Sequence, residues 1–339
     1  MATLKDIAKI AGVNVSTVSK ALRDASDISE QTKLQIKKIA DELGYKYKKS
    51  DKPEAYYEHA INNFKTIGII CPEVASNYYT EIINIIAQET RKAGYLCIIC
   101  FTDFEPENEK HYLKELLNMQ VKGIIFISES FEINNILNQY KEHNSTPLVL
   151  ISPNAVTKDF DCIKIDDEYG IKLSVQHLIE KGHTDIGYIG DELSNPRLEA
   201  FLRVMEENKL KINKKWIQVS SERFERCGYE TMSNILMSGG SLPTAVLAAY
   251  DDIAIGAIRA VNDEGLKVPD DISIIGIDNI RSTDYSNPPL TTVAGPIVEM
   301  GKIALKLLFK KINSPKYSVV QNVTLSPELI QRKSVKDMN

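Results

Sequence analysis

The sequence contains no long apolar segment: no uncharged run in its 339 residues approaches the roughly 18 that a membrane-spanning helix needs. A basic and an acidic side chain occur within the first six residues, and no apolar core of a secretory signal follows them. Both absences predict a cytoplasmic protein without a membrane partner. With 43% hydrophobic and 26% charged residues, the composition is typical of a soluble protein with two or three folding units.

Cysteine is scarce, and its five positions are scattered. Cys97 and Cys100 form a C-x-x-C motif, but they lie within the run YLCIICF, which is typical of a buried strand. A redox pair would instead lie in an exposed turn at a helix N-terminus. Since no second cysteine or histidine pair follows at zinc spacing, we expect free thiols packed as small apolar side chains, and neither a metal nor a cofactor.

Motifs of nucleotide binding and covalent catalysis are also missing. No G-x-G-x-x-G occurs, and the glycine-bounded segment 295–301 has the wrong spacing for a phosphate-binding loop. No G-x-S-x-G nucleophile motif is present. The adjacent acids Asp251 and Asp252 do not favour paired acid–base chemistry, and Asp251 is better interpreted as a cap of the following helix. We therefore predict no catalytic residues and no enzyme activity.

The net charge of −5 conceals an asymmetry along the chain. Residues 1–50 contain ten Lys and Arg against six Asp and Glu, whereas the remainder contains 31 against 40. A basic N-terminal segment on an acidic body indicates that only this segment contacts a polyanion.

Three short amphipathic helices are predicted in this segment. Thr3 is placed to cap the first helix, and Gly12 to end it in a left-handed conformation. Asn14 and Ser29 are placed to cap the second and third helices, and Gly44 ends the third. The turn between the first two helices has about four residues, the spacing of a helix-turn-helix that inserts its second helix into a major groove. The alternative is a three-helix packing unit without a ligand.

The residues themselves favour DNA binding. The runs T-L-K-D-I-A-K-I-A-G-V-N-V-S-T-V-S-K-A-L, D-I-S-E-Q-T-K and I-A-D-E-L-G-Y closely resemble the DNA-binding head of the LacI/GalR repressor family. The resemblance implies that Val15, Ser16 and Lys20 read base edges in double-stranded operator DNA. Because Lys20 stands where Arg is usual and Arg23 where Asn is common, we expect an operator that differs from the family consensus. The residues that the resemblance places at the DNA are Asn14, Val15, Ser16, Thr17, Ser19, Lys20, Arg23 and Thr32.

The segment 46–65 is a polar, lysine-rich linker. Related proteins carry a Pro-Asn pair and a Leu here, and a hinge helix inserts that Leu into the minor groove. This chain has Tyr47-Lys48 instead and lacks the Leu, so we do not expect intercalation. A short helix over 54–62 after Pro53 is compatible with the sequence.

From Thr66 onward, continuous apolar strands alternate with amphipathic helices, and the pattern restarts after Ile165. This alternation predicts an α/β core of two doubly wound parallel sheets, with ligand bound at the carboxyl ends of the strands. Runs such as LIEKGHTDIGYIG, PTAVLAAYDDIAIGAI and GLKVPDDISIIGID also resemble the LacI/GalR sensor core, which is similar to periplasmic sugar-binding proteins. The resemblance implies crossovers between two lobes near Ile165, Thr292 and Val323. The resulting division is a head at 1–45, a linker at 46–65 and a core at 66–339, with lobe one at about 66–165 and 293–323 and lobe two at about 166–292 and 324–339.

The same resemblance implies an effector site between the lobes. Arg197 and Asp278 are expected to be its main polar groups, and a salt bridge between the lobes is the alternative role for each. The rings of Tyr78 and Tyr79 either stack on the ligand or pack in the core of their lobe. Tyr250 stands where many sugar-responsive relatives carry Asn. The expected effector-binding residues are Tyr78, Tyr79, Ser128, Ser152, Arg197, Phe224, Tyr250 and Asp278.

Together these features predict a sequence-specific DNA-binding regulator, most consistent with a repressor. A homodimer without a leucine-heptad tail would bind a pseudo-palindromic operator under control of a small effector. A sugar or sugar derivative fits best, other cyclic metabolites stay open, and the sequence does not decide between inducer and corepressor. The main rival, a transport-type solute-binding protein, predicts an export signal and no helix-turn-helix.

Overall fold

The computed structural model describes residues 2–23, 25, 27–47, 65–143 and 145–339. The chain forms two compact units, Met1–Phe64 and Lys65–Asn339. Linker residues 48–64, which include the segment considered for a short helix, lie outside the described part of the chain.

The first unit contains three helices, α1 (Leu4–Ala11), α2 (Val15–Leu22) and α3 (Glu30–Glu42). Gly12 follows α1 with φ +67°, which confirms the predicted left-handed stop. The Ser29 side chain accepts a hydrogen bond from Thr32 N, as predicted for a cap. Asn14 also takes the N-cap position, but its side chain makes no capping hydrogen bond. The apolar faces of the helices enclose a small core formed by Ile7, Ala8, Val18, Ala21, Leu22, Ile36, Ile39 and Ala40.

Strands and helices alternate through the second unit. The strands are β1 (Thr66–Cys71), β2 (Leu96–Phe101), β3 (Gly123–Ile127), β4 (Leu148–Ile151), β5 (Asp161–Ile165), β6 (Ile186–Asp191), β7 (Ile217–Ser220), β8 (Ala245–Ala248), β9 (Ser273–Ile277), β10 (Thr291–Ala294), β11 (Asn322–Leu325) and β12 (Glu328–Ile330). The helices are α4 (Asn77–Lys92), α5 (Pro106–Asn118), α6 (Ile133–His143), α7 (Asp167–Glu180), α8 (Asn195–Glu207), α9 (Phe224–Met237), α10 (Asp251–Asp263) and α11 (Ile297–Asn313).

The strands form two six-stranded sheets, one in each lobe. Lobe one has the order β11-β5-β4-β3-β1-β2, and all its strand pairs are parallel. Lobe two has the order β12-β10-β9-β8-β6-β7, in which only the edge pair β10–β12 is antiparallel. Since most strands are buried between layers of helices, both sheets have the continuous apolar sequences expected of doubly wound units.

The chain passes between the lobes three times. It leaves the first sheet after Ile165, returns after Ala294 and leaves again after Leu325. The second and third crossings lie two residues beyond the predicted Thr292 and Val323, because β10 and β11 continue to those points. Three separate connections therefore join the lobes at a hinge, and the carboxyl ends of both sets of strands face the space between them.

Two glycines bring α9 and α10 into very close contact. A Cβ atom built on Gly228 would lie 1.9 Å from Ile253 O, and one built on Gly256 would lie 1.9 Å from Glu225 O. Only glycine at these two positions lets the backbones of α9 and α10 approach each other this closely. The close packing places the N-termini of both helices side by side at the cleft.

The five cysteines are free. The expectation of a buried strand around Cys97 and Cys100 is wrong, because β2 lies at the edge of its sheet and both side chains are only half-buried. Cys97 and Cys100 pack on opposite faces of the first sheet, Cys97 with the cluster around Ile67 and Cys100 with the cluster around Phe126. This arrangement follows from their three-residue separation on a strand, and it prevents a disulfide between them.

Candidate functional sites

The exposed face of α2 carries the residues predicted to read DNA. Val15, Ser16 and Lys20 are exposed, whereas Val18 and Leu22 on the other face are buried in the small core. Val15 is an apolar side chain that remains 39% exposed at the start of a helix, where it can pack against a thymine methyl group.

Two of these polar side chains have partners within the head. Lys20 Nζ lies 2.5 Å from Asp27 Oδ2, and both side chains are about half exposed. Arg23 donates to Ser19, through Nε to the carbonyl oxygen at 3.1 Å and through Nη2 to Oγ at 2.8 Å. The Lys20 side chain is therefore paired with a carboxylate of its own head in this structure.

The flanking residues of the predicted interface differ in exposure. Asn14 is exposed, and Thr17 and Thr32 are half-buried. The hydroxyl groups of Thr32 and Ser29 lie 2.7 Å apart at the start of α3. Short polar side chains at two adjacent helix starts are suited to phosphate contacts.

In the core, Arg197 is the centre of a charged cluster in lobe two. Its Nη1 donates to Ala249 O at 2.7 Å, its Nη2 donates to Asp167 Oδ1 at 2.8 Å, and Asp278 Oδ1 lies 3.3 Å away. All of these groups belong to lobe two, at the ends of β8 and β9 and at the starts of α7 and α8. The alternative of a salt bridge between the lobes is therefore wrong for this pair.

The cluster lines a cleft between the lobes. Tyr78, at the start of α4, enters this cleft from lobe one, and apolar side chains complete its walls. The lining residues are Tyr78, Ile165, Asp167, Gly170, Arg197, Ile277, Asp278, Val293, Gly295, Ile297 and Pro327. An apolar cleft with a few convergent polar groups has the character of a small-molecule site.

Carboxylates outnumber cations in the cleft. Burial raises the pKa of Asp278, although the adjacent Arg197 opposes this rise. Burial also raises the pKa of Glu129 to about 7, and the negative charge of Asp167 adds to the effect. The cleft therefore offers hydrogen-bond acceptors in excess of fixed positive charge.

The two adjacent tyrosines have different surroundings. Tyr78 lines the cleft, whereas Tyr79 is buried in the core of lobe one and donates from its hydroxyl to Glu129 Oε1 at 3.1 Å. Their rings meet edge to face with centroids 5.1 Å apart. Core packing, one of the two interpretations from the sequence, describes Tyr79, and stacking of Tyr78 on a ligand stays a prediction.

Two predicted effector residues are fully buried. Ser128 donates to Glu109 Oε1 at 2.6 Å, and Ser152 Oγ accepts from Asn154 N at 3.3 Å. Both follow strands of the first sheet, but they are not among the residues that line the cleft around Arg197.

Phe224 and Tyr250 lie together at the N-termini of α9 and α10. Tyr250 donates from its hydroxyl to Asp191 Oδ2 at 2.5 Å and accepts from Phe224 N at 3.1 Å. Arg223 lies beside them with its guanidinium carbon 4.4 Å from the centroid of the Phe224 ring. No sequence motif points to Arg223, because its carboxylate partners, Glu73 and Asp191, are distant in the chain.

The interpretation of Asp251 as a helix cap is wrong. Asp251 is the first residue of α10, and Tyr250 holds the N-cap position. The buried Asp251 carboxyl group instead accepts from Ile280 N at 3.0 Å and from Thr292 Oγ1 at 2.6 Å. These hydrogen bonds anchor the loop that follows β9, and this loop carries Asp278 into the cleft.

Comparison with known proteins agrees with this architecture. Residues 3–47 match the family described as bacterial regulatory proteins, lacI family, and residues 175–335 match the periplasmic binding protein-like domain. The HTH-type transcriptional repressor PurR of Pasteurella multocida is 36% identical over 99% of both chains. The chain belongs to the LacI family of bacterial regulatory proteins. This LacI-family protein is a DNA-binding transcriptional repressor with a ligand-binding core, as its resemblance implied, and it is not an enzyme.

Solved structures share the fold of this LacI-family repressor. The Lac repressor dimer bound to operator and the anti-inducer ONPF superposes with a TM-score of 0.71 and 24% identity, covering 99% of each chain. A LacI-family regulator from Enterococcus faecium with bound ribose gives a TM-score of 0.71 and 26% identity over 81% of this chain and all of that one. These likenesses confirm the predicted fold class. Within the described residues, no helix of the repressor combines the length and apolar character of a membrane span.

Proposed function

We propose that this repressor acts in the cytoplasm as a homodimer on a pseudo-palindromic operator, and that a neutral, hydroxyl-rich effector of the sugar type controls it. The arrangement of Arg197 with Asp167 and Asp278 in a cleft whose other walls are mostly apolar carries the proposal. In this assignment residues 1–45 bind DNA, 46–65 link, and the two lobes of 66–339 bind the effector and pair the chains.

The charge balance of the cleft supports a neutral ligand. Asp167 and Asp278 both pair with the guanidinium of Arg197, so carboxyl groups outnumber the guanidinium two to one in this cluster. A phosphorylated or carboxylated ligand would meet this surplus of negative charge. Sugar hydroxyls would instead donate to the carboxylates and accept from Arg197, while a ring face packs on Tyr78.

One of the solved structures that share the fold supports the same ligand class. The Enterococcus faecium regulator that shares the fold was solved with bound ribose. The Lac repressor complex with operator is a dimer, and two heads are what a two-fold operator requires.

For the head, we propose that Val15, Ser16 and Lys20 contact base edges and that the remaining predicted residues contact phosphates or position the helix. The exposed apolar Val15 is suited to a thymine methyl group, and the donor Lys20 is suited to guanine.

The effector proposal is tested by calorimetric titration of the full-length protein with sugars, glycosides, purines and, as the anionic class, sugar phosphates. We expect saturable binding of a neutral sugar or glycoside and none of its phosphorylated form. Arg197→Ala and Asp278→Asn are each expected to weaken that binding by about tenfold to a hundredfold, since each removes charge-assisted hydrogen bonds.

Arg203→Ala is the matched control, because Arg203 lies on the same helix and its side chain is 52% exposed in a surface pair with Glu168. It is expected to bind effector like the unaltered protein. Tight binding of a sugar phosphate would show that the site is assigned wrongly. So would a neutral ligand whose affinity is unchanged by both Arg197→Ala and Asp278→Asn.

A further inference from the structure

One side chain of lobe two reaches across to lobe one. Arg223, the residue before α9, places Nη1 2.6 Å from Oε2 of Glu73, which follows β1 in lobe one. The Arg223 and Glu73 side chains are 27% and 12% exposed, so solvent screens this pair less than a surface ion pair.

Aromatic rings from both lobes surround the same guanidinium. Its carbon lies 5.1 Å from the ring centroid of Phe104 in lobe one and 4.4 Å from that of Phe224 in lobe two. Both phenylalanines have left-handed backbones, with φ of +62° and +56°. Asp191 in lobe two adds a second carboxylate, 3.5 Å from Arg223 Nε.

This environment is that of a bound planar ligand. Stacking over aromatic faces combined with pairing to carboxylates is how proteins recognise a guanidinium or a similar flat, polar group. Here the group is part of the chain itself, and its partners come from both sides of the cleft.

The cluster around Arg197 lies within lobe two and does not by itself draw the lobes together. A second direct contact between the lobes is a single hydrogen bond, from Asn77 Nδ2 to Asp252 Oδ1 at 3.2 Å. Arg223 therefore makes the stronger of these two polar bridges.

We propose that Arg223 acts as a built-in ligand, which closes the two lobes of the repressor when no effector is bound. The inference concerns how the effector site is regulated, and its consequence for DNA binding rests on the proposed function. An effector shifts the lobe equilibrium only by its difference in affinity between the two arrangements. Because Arg223 already favours the closed arrangement, a smaller difference in effector affinity is enough to close the lobes fully.

Closure has a local signature in hydrogen exchange. The first amides of α4 and α10 have no acceptor within their helices, so their exchange depends on solvent access to helix ends that face the cleft. Neither Tyr78 nor the residues 251–253 are hydrogen-bonded to Arg223 in the described structure. Faster exchange there would report opening of the lobes and not a local effect at Arg223.

The test measures hydrogen–deuterium exchange of the full-length protein without effector or operator, so its outcome is independent of the proposed ligand. Arg223→Gln is expected to accelerate exchange at residues 78–79 and 251–253 by about tenfold, the combined strength of an ion pair and a cation–π contact. Glu73→Gln is expected to accelerate it by less, about threefold, because it removes the ion pair and leaves the Arg223 guanidinium over Phe104. The double variant is expected to show no more acceleration than Arg223→Gln alone, because Glu73 acts on the lobes only through its pair with Arg223.

Arg226→Gln is the control, since it removes the same charge three residues further along, within α9, and the partners of Arg226 among the described residues are the exposed Glu222 and Glu230. It should exchange like the unaltered protein. If Arg223→Gln perturbs folding, Glu73→Gln tests the bridge from the other lobe. Acceleration confined to the immediate neighbours of the altered residue, or additive effects in the double variant, would overturn the proposal.

Discussion

Asp251 gives the sharpest prediction for the architecture of the cleft. Its buried carboxyl group is the acceptor for Ile280 N and Thr292 Oγ1, which are themselves buried. Asp251→Ala removes both acceptors, and each abandoned donor costs about 1–3 kcal/mol. We expect the free energy of unfolding of lobe two to fall by roughly 2–4 kcal/mol.

Asp251→Asn should be much milder. Burial, together with the negative charge of Asp278, raises the pKa of Asp251 well above its ordinary value. A carboxyl group that is protonated in the folded protein resembles the amide of Asn, which can still accept from Ile280 N and meet the Thr292 hydroxyl. The expected loss is below about 1 kcal/mol at neutral pH.

The dependence on pH follows from the sign of this shift. An acid whose pKa is higher in the folded state contributes stability below its unfolded pKa, and that contribution is lost as the pH rises. The unaltered protein should therefore lose this stabilisation as the pH rises above about 4, whereas Asp251→Asn does not titrate here. The free energy of unfolding of the Asn variant should therefore rise relative to that of the unaltered protein as the pH is raised.

Urea unfolding followed by the fluorescence of Trp216 measures these effects, because Trp216 is the single tryptophan and is buried in lobe two. Asp263→Asn is the control: it lies at the other end of α10, in a surface pair with Arg259. If Asn destabilised lobe two as much as Ala at neutral pH, the carboxyl group would have to be ionised and the reasoning would be refuted.

Three further predictions concern the head, the cleft and the helix packing. Lys20→Ala should weaken binding to a selected operator by about tenfold or more, and binding to a random duplex much less. Equal losses of affinity in a fluorescence anisotropy titration would show that Lys20 contacts a phosphate and not a base. The pKa of Glu129 is raised to about 7, so its carboxyl group should lower the melting temperature as the pH rises from about 5 to 8. Glu129→Gln should abolish that decrease, and an unchanged pH profile would contradict this. Gly228→Ala should lower the free energy of unfolding by about 1–3 kcal/mol or more, because its methyl group meets the backbone of α10; an unaffected urea midpoint would show that the two helices separate at no cost.

The local elements of the structure could be read from the sequence because their causes are local. Gly12 ends the first helix through its own left-handed backbone, and Ser29 caps the third through a partner three residues away. Apolar runs bounded by polar turns likewise identified the strands, whose burial on both faces leaves no alternation.

Sites made from distant segments were only partly accessible. The resemblance pointed to Arg197 and Asp278, but their partnership with Asp167 inside one lobe needed the packed sheets. Nothing in the run Tyr78-Tyr79 distinguishes the ring that lines the cleft from the ring buried in the core. The rotation of α4 against its sheet decides that difference.

Helix ends, strand runs and the basic head, with the side chains that α2 exposes, were determined by the sequence alone, since each depends on neighbours within a few residues. Only the tertiary structure decided the role of Asp251 as an anchor and the contact of Arg223 with Glu73, whose positions are 150 residues apart. The physical reason is that a buried charge must find its partner wherever the fold brings one, and sequence separation carries no information about that distance.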